Sequence, residues 1–187
     1  MSTPASTDLI VCLDAALAAG DTDEVTRAVK GELERLIRGG HVVLPDRLRT
    51  PRADSYARRL LHRDPGGAYT AVVMTWAPGQ QTSLHDHAGI WCVEGVVDGE
   101  IEVSEFELVA DDGTLCEFEP RGRVRASVGS AGCLIPPFEY HVMGNALAER
   151  PAVTVHVYGG ELETCHVFDR RPDGRFERRL RTLAYDD

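Results

Sequence analysis

The stretch of sequence that decides the fold covers residues 78–99 and reads PGQQTSLHDHAGIWCVEGVVDG. It holds two histidines, His85 and His87, between a Pro-Gly pair at one end and an Asp-Gly pair at the other. On a β-strand, residues i and i+2 share a face, so both imidazoles point one way and Asp86 points the other. Inside a small barrel that face is the interior, where paired imidazoles can bind a metal ion. Two solvated histidines on an exposed strand are the alternative that this spacing leaves open.

The chain around this stretch predicts many short β-strands separated by turns. Asp64-Pro65-Gly66-Gly67 lies between Tyr56–His62 and Tyr69–Trp76, and this arrangement predicts a β-hairpin. Turn signals rich in Gly, Pro and Asp then recur as far as Asp173-Gly174. The β-rich runs between them include Ile101–Phe106, Gly132–Ile135 and Ala152–Tyr158. Short strands at regular spacing indicate an all-β barrel or sandwich.

The first fifty residues predict helices. Asp21 is a favourable N-cap, and Glu24 three positions later completes a capping box. An earlier helix is predicted from about Leu9 to Ala19, and Pro45 can open a short turn of helix. Apolar residues recur at helical spacing before a stop at Gly39-Gly40, namely Val25, Val29, Leu33, Leu36 and Ile37. We therefore expect a single domain over residues 1–187, with a helical cap at 1–50 and a β-barrel at 56–183.

The composition is that of a globular protein, with 43% hydrophobic and 27% charged residues in 187. Its formal net charge of −10 argues against nucleic acid and anionic membrane surfaces as partners. No apolar run reaches the roughly 18 residues that span a bilayer. Asp14 interrupts the early apolar stretch, so we expect no signal peptide and a cytoplasmic location.

Five cysteines without a C-x-x-C pair argue against a disulfide framework and a zinc ribbon. These features do not determine the oligomeric state, for which a monomer is the expectation.

The sequence resembles the cupin superfamily in two motifs. In the first, glycines flank His85-Asp86-His87. In the second, a proline-led segment, Ile135–Tyr140, brings in His141. The resemblance implies a jelly-roll barrel with a metal ion inside and His141 as its third ligand. The usual cupin has a glutamate ligand where this chain has Cys92, so the implied ligands are three neutral imidazoles. Glu94 is the nearest carboxylate, and we expect it to be structural or to face solvent.

Within the cupins, the chain resembles the cysteine dioxygenases, the branch that oxidises thiols. The resemblance covers about Tyr56 to Asp169. Its individual pieces are weak signals, but together they occur in the expected order and at fitting spacings. The pieces are Tyr56-x-Arg58, His85-Asp86-His87 with Cys92, His141, and the run Thr154–Tyr158 followed by Thr164-Cys165-His166.

This resemblance implies a role for each matching residue. His85, His87 and His141 would bind Fe2+ as the cofactor. Arg58 would hold the substrate carboxylate as a charge-assisted fork, with the Tyr56 and Tyr158 hydroxyls beside it. His156 would orient Tyr158 through a hydrogen-bond chain that ends at the Thr154 hydroxyl. Cys92 could form a thioether crosslink with Tyr158. The implied catalytic residues are Arg58, Cys92, His156 and Tyr158.

In the implied reaction, the sulfur of cysteine receives both atoms of O2 to give cysteine sulfinic acid. This is a step of cysteine catabolism, and we expect it to take place in the cytoplasm. The substrates would be a small thiol and O2. A sister branch oxidises 3-mercaptopropionate and carries glutamine at the position of Arg58 and glycine at that of Cys92. The segments Pro78-Gly79-Gln80 and Ile90-Trp91 resemble the sequences of that branch more than those of the cysteine branch. An alternative substrate is therefore 3-mercaptopropionate or a larger thiol. Two further alternatives are a zinc-dependent cupin and a cupin that only binds a ligand.

Overall fold

The computed structural model describes residues 4–18 and 20–187, with side chains from residue 8 onward within those ranges. Helix α1 spans Pro4–Leu17 and begins earlier than predicted, while its predicted end at Ala19 lies outside the described residues. Helix α2 spans Thr22–Arg38, with the predicted Asp21 N-cap and capping box and an end at Gly39. The short helix α3, Asp46–Arg49, follows Pro45 as predicted. None of the described helices is long and apolar enough to cross a membrane.

Eleven strands follow within the described residues, all paired antiparallel to their neighbours. The first two form the predicted hairpin. In chain order they are β1 Ala57–Arg63, β2 Thr70–Trp76, β3 Leu84–His85, β4 Cys92–Asp98, β5 Glu100–Asp111, β6 Leu115–Ser127, β7 Ala131–Leu134, β8 His141–Asn145, β9 Ala152–Tyr158, β10 Thr164–Arg170 and β11 Phe176–Thr182.

The strands form two sheets. One has five strands in the order β1-β2-β9-β4-β7, and the other closes on itself in the order β10-β11-β6-β5-β8-β3. A single cavity is lined by Met74 and Tyr158 of the first sheet and by Met143 and Val167 of the second. The prediction of a mainly β, jelly-roll barrel with helices at its N-terminal end is therefore confirmed.

The five-stranded sheet has an outer face that packs against the helices. Val93 and Val155 are fully buried there, in one cluster with Leu33 of α2. The helix lies so close to β4 that a Cβ added at Gly95 would stand 2.9 Å from Ile37 Cδ1. Burying an aliphatic side chain of this size stabilises a fold by roughly 1.5–3 kcal/mol. This apolar layer fixes β4 and β9, whose opposite faces line the cavity.

Candidate metal centre

The three predicted metal-binding histidines lie together. His85 ends β3 and stands directly opposite His141, the first residue of β8. The ring centroids of these two are 4.4 Å apart, and each lies 5.2 Å from the ring of His87. The possible ligand atoms of all three lie within 4.8 Å of one another. The trio therefore forms a compact cluster of the kind that could hold one metal ion.

Backbone carbonyl oxygens lie close to the Nδ1 atoms of two of the three histidines. His141 Nδ1 is 2.8 Å from the Glu139 carbonyl oxygen, and His85 Nδ1 is 3.0 Å from that of Ser83. His87 Nδ1 lies 3.3 Å from the Glu139 carboxylate. A histidine that gives its Nδ1 proton to such an oxygen presents the Nε2 lone pair on its other side.

The Nε2 atoms fit a bound cation. In the part of the chain that is described, the buried Nε2 atoms of His87 and His141 have no hydrogen-bond partner. Burial, followed by the charge of His141, lowers the pKa of His85 to about 3, and burial lowers that of His87 well below its usual range. These two rings are therefore neutral near pH 7, with lone pairs available to a metal ion.

Asp86 points away from the cluster, as predicted, and fixes the loop after β3. It accepts hydrogen bonds from the backbone N–H groups of Ala88 and His166, at 3.2 and 2.8 Å. Its other oxygen lies 2.8 Å from His166 Nδ1. Ala88 has a φ of 53° and Gly89 one of 82°, so the chain turns sharply after His87. The central aspartate of the motif thus ties the turn after His87 to His166 on β10.

Glu94 is buried beside this cluster, so of the two expectations for it, a structural role or exposure to solvent, the second is wrong. Strand β4 pairs regularly with β9 from Cys92 to Val96, which puts Cys92 and Glu94 on one face. The Glu94 side chain is buried, with Oε1 3.5 Å from His141 Nε2. Burial alone would raise its pKa, but the neighbouring His156 and His141 lower the pKa of Glu94 well below its usual range. The same carboxylate raises the pKa of His141, against the effect of burial.

Thr154, His156 and Tyr158 share the cavity-facing side of β9, as the alternating sequence predicted. The Thr154 hydroxyl lies 2.7 Å from His156 Nε2. The other ring nitrogen of His156, Nδ1, faces Glu94 Oε1 at 3.1 Å. The His156 ring lies parallel to that of Tyr158, with centroids 6.1 Å apart. His156 Nδ1 thus lies beside Glu94, its register partner on β4, and among the described residues no hydrogen bond joins His156 to Tyr158.

Arg58 is buried on β1 and lines the same cavity as the histidines. Its guanidinium donates hydrogen bonds to the carbonyl oxygens of Leu162, at 3.0 Å, and Ala184, at 3.5 Å. Its Cζ atom lies 4.4 Å from the ring centroid of Tyr185 and 6.0 Å from that of Tyr158. Because a guanidinium has five N–H donors, these contacts leave some of them for a substrate anion. The contacts with Ala184 and Tyr185 join residues remote in sequence, and the sequence alone did not reveal them.

Tyr56 stands where the cavity meets a wider outer pocket. It packs on Trp76, with ring centroids 4.7 Å apart. The inner cavity has a volume of about 30 Å3 and the outer pocket about 500 Å3. Arg181 is exposed but lines both spaces. The two spaces share the lining residues Tyr56, Arg58, Ser83, Arg181 and Leu183.

Cys92 and Tyr158 are direct partners in the pairing of β4 with β9. Opposite residues in an antiparallel pair have Cβ atoms about 4.5–5.5 Å apart. Both side chains are buried, and this burial raises the pKa of the Cys92 thiol and of the Tyr158 phenol well above their usual ranges. The two residues thus lie opposite each other and next to His87.

Comparisons with known proteins identify a family that matches this chain. The model of the family described as cysteine dioxygenase type I matches residues 51–171. Cysteine dioxygenase type 1 of Danio rerio is 24% identical over 116 residues, which cover 62% of this chain and 57% of that protein. The human enzyme of the same name is 24% identical over 124 residues, covering 62% and 56%. The chain thus matches little more than half the length of these relatives.

Solved structures with a similar fold include a protein with a double-stranded β-helix domain from Klebsiella pneumoniae. It is 20% identical, with a TM-score of 0.47, and the match covers 64% of this chain and 91% of that one. A cupin 2 conserved barrel domain protein from Salinispora arenicola is 21% identical, with a TM-score of 0.43, and covers 62% and 86%. The family match itself extends over more than half of the sequence. This chain therefore belongs to the cysteine dioxygenase type I family.

Proposed function

We propose that this protein is a cytoplasmic non-haem iron thiol dioxygenase of cysteine catabolism that converts L-cysteine and O2 to cysteine sulfinic acid. One observation carries the proposal. Three histidines lie within mutual ligand distance, and the two that are fully buried have Nε2 atoms without hydrogen-bond partners among the described residues. A cluster of histidine nitrogens suits a borderline metal such as iron. The family match supports the same chemistry.

His85, His87 and His141 would hold Fe2+. When bound, the ion supplies the redox chemistry by which both atoms of O2 end on the substrate sulfur. The chain's own contribution is to hold the three Nε2 lone pairs towards one point and to keep that point dry. The backbone oxygens of Ser83 and Glu139 would orient the rings of His85 and His141, because they accept hydrogen bonds from the Nδ1 side of these rings.

Arg58 would bind the substrate carboxylate, with the Tyr56 and Tyr158 hydroxyls beside it. Arg58 is buried in the wall of the cavity that contains His85 and His141. A charge-assisted hydrogen bond from a buried guanidinium is roughly twice as strong as a neutral one. Such a clamp positions a small anionic thiol with its sulfur towards the histidines.

The substrate test is oxygen uptake by the iron-loaded full chain with cysteine, 3-mercaptopropionate, cysteamine and mercaptosuccinate. We expect cysteine to support uptake with one sulfinate formed per O2, and cysteamine to be poor because it has no carboxylate for Arg58. Preference for 3-mercaptopropionate or mercaptosuccinate would keep the dioxygenase chemistry and replace the substrate. Iron binding without uptake on any thiol would contradict the function and favour a ligand-binding cupin. A reaction supported by zinc but not by iron would favour a zinc enzyme.

A further inference from the structure

Arg58 is a buried cation that has no acidic partner. Its guanidinium donates hydrogen bonds to two backbone carbonyl oxygens, and among the described residues no carboxylate lies within ion-pair distance of it. By contrast, Arg52 and Arg63, which precede and follow it in the chain, each pair with an acid. A buried charge without a counter-charge is costly unless other groups compensate for the lost water. Arg58 therefore depends on uncharged groups for its stability.

The ring of Tyr185 supplies such a group. Its centroid lies 4.4 Å from Arg58 Cζ, whereas that of Tyr158 lies 6.0 Å away. An aromatic face attracts a cation, and the attraction is strongest where water is excluded. Because the ring carries no net charge, this contact stabilises the guanidinium without neutralising it. The positive charge of Arg58 therefore stays available to an anion in the cavity.

The hydroxyl of Tyr185 contacts an acid that lies close to Arg58 in the fold. Glu161 directly precedes Leu162, whose carbonyl oxygen is 3.0 Å from Arg58 Nη2. The Tyr185 hydroxyl donates to Glu161 Oε1, and Arg63 donates to both oxygens of the same carboxylate, at 2.7 and 3.1 Å. The charge of Glu161 is thus paired with Arg63 and not with Arg58. Tyr185 presents its face to the unpaired arginine and its hydroxyl to the paired acid.

The tail that carries Tyr185, residues 183–187, is fixed to β1 at the backbone of Arg58 itself. The N–H of Asp186 donates to the Arg58 carbonyl oxygen at 2.7 Å, and the Asp186 carboxylate accepts the Arg58 N–H at 2.8 Å. At the start of the tail, the Leu183 N–H donates to the carbonyl oxygen just before β10 at 2.8 Å. The ring and the guanidinium therefore meet because their backbones are joined.

We propose that Tyr185 is a positioning residue for substrate binding, which holds the guanidinium of Arg58 in the cavity wall and keeps its charge available to the substrate carboxylate. The inference rests on the proposed function for the role of Arg58 itself. Tyr185 acts through Arg58 and lies outside residues 51–171, which the family model matches. Removal of the ring would leave the guanidinium free to turn about its remaining bonds to carbonyl oxygens, so a bound carboxylate would be held less firmly.

The test compares Tyr185→Leu, which removes the ring, with Tyr185→Phe, which keeps the ring and removes only the hydroxyl. In the iron-loaded full chain, we expect Tyr185→Leu to raise KM for cysteine about tenfold, or ~1.4 kcal/mol, with kcat within about twofold of the wild type. Tyr185→Phe should keep KM within about threefold of the wild type, because the ring face is retained. A wild-type KM in Tyr185→Leu, or an equal rise in both variants, would overturn the inference.

A double-mutant cycle separates the positioning of Arg58 from general support of the fold. When Arg58 is already replaced, in Arg58→Gln, Tyr185→Leu should change KM by less than about twofold, because Tyr185 acts through the guanidinium. A further rise of about tenfold in that background would show that the tail supports the cavity as a whole, and the inference would be wrong.

A crystal structure of the iron-loaded wild type with cysteine, grown without O2, gives a readout that needs no variant. The inference is supported by an Arg58 guanidinium that contacts the substrate carboxylate while Cζ stays within about 6 Å of the Tyr185 ring centroid. A guanidinium that has turned away from the ring overturns it. If the iron-loaded wild type oxidises no thiol, the proposed function fails and this inference fails with it, whereas the other adverse outcomes overturn the inference alone.

Discussion

Strands β4 and β9 present two opposite kinds of surface. On the side of the helices, their residues are apolar and pack against α2, as Val93 and Val155 do. On the side of the cavity, the alternate residues are Cys92, Glu94 and His156, together with the hydroxyl-bearing Thr154 and Tyr158. The side chains on both sides are buried. The difference teaches that burial alone does not identify a core, because the cavity side buries groups that a stabilising core would exclude.

The two sides should therefore respond differently to substitution. Changes on the helix side should lower the free energy of unfolding and leave metal binding by the folded protein unchanged. Changes on the cavity side should alter metal binding, substrate binding or covalent state.

The largest effect is expected from His141→Ala. This variant removes a nitrogen that has no other partner among the described residues and that lies at the centre of the cluster. We expect Fe2+ affinity, measured by anaerobic equilibrium dialysis, to fall by more than about 100-fold. Loss of a residue that only hydrogen-bonds to a metal ligand typically lowers affinity by about 10- to 100-fold, and loss of a ligand itself should cost more. Circular dichroism of the metal-free protein should remain that of the wild type. Retention of iron at wild-type affinity would remove His141 from the site.

Leu33→Ala tests the helix side. Leu33 is fully buried between α2 and the sheet, and truncation leaves a cavity there. We expect the free energy of unfolding in urea to fall by about 2–5 kcal/mol. Fe2+ affinity below the unfolding transition should be unchanged. Loss of metal affinity in a folded Leu33→Ala protein would mean that the two sides of the sheet are coupled.

Arg58→Ala should weaken substrate binding. A charge-assisted hydrogen bond contributes roughly 1.5–3 kcal/mol, so KM for cysteine should rise about tenfold to a hundredfold. Because Arg58 also contacts Leu162 and Ala184, Arg58→Lys serves as the second variant, which keeps the charge and loses the fork. If KM stays at the wild-type value in both variants, Arg58 is a structural residue of the cavity wall.

Cys92 and Tyr158 should form a thioether in part of the population. Their opposite positions on β4 and β9 bring the thiol to the phenol ring. Intact-mass spectrometry should detect a species that has lost two hydrogen atoms, and Cys92→Ala should abolish it. If iron-loaded, turned-over protein contains no such species, Cys92 is an ordinary residue of the pocket.

The smallest effect concerns pH. Burial raises the pKa of Glu139 from 4.5 to about 7, so between these values the folded state of the metal-free protein binds more protons than the unfolded state. This group's contribution to the free energy of unfolding therefore falls as pH rises from about 4.5 to about 7. Glu139→Gln should remove that component, seen as a difference between the two pH profiles in urea unfolding. Parallel profiles would show that Glu139 titrates normally.

Much of the fold followed from local signals in the sequence. The Asp21–Glu24 capping box set the start of α2, and the Asp64–Gly67 turn identified the hairpin of β1 and β2. The alternation of Thr154–Tyr158 placed three polar side chains on one face, because β9 is regular throughout. The H-x-H spacing likewise predicted that His85 and His87 point to the same side.

The missed features depend on register and on contacts between distant residues. The sequence left Glu94 as either structural or solvent-facing, because nothing local shows that β4 stays regular past Cys92 or that Glu94 pairs with His156. The tail that carries Ala184 and Tyr185 returns to Arg58 from the far end of the chain. Such pairings follow from the closure of the whole barrel, which no short window of sequence specifies.

The central claim is that the histidine trio on the cavity side binds iron and supports dioxygenation of a small thiol. Its most direct test is a reaction of the iron-loaded protein with cysteine under 18O2, followed by mass spectrometry of the product. The account predicts cysteine sulfinic acid that carries two 18O atoms, formed by the wild type and not by His141→Ala. A product with one 18O or none, or equal yield from His141→Ala, would contradict it.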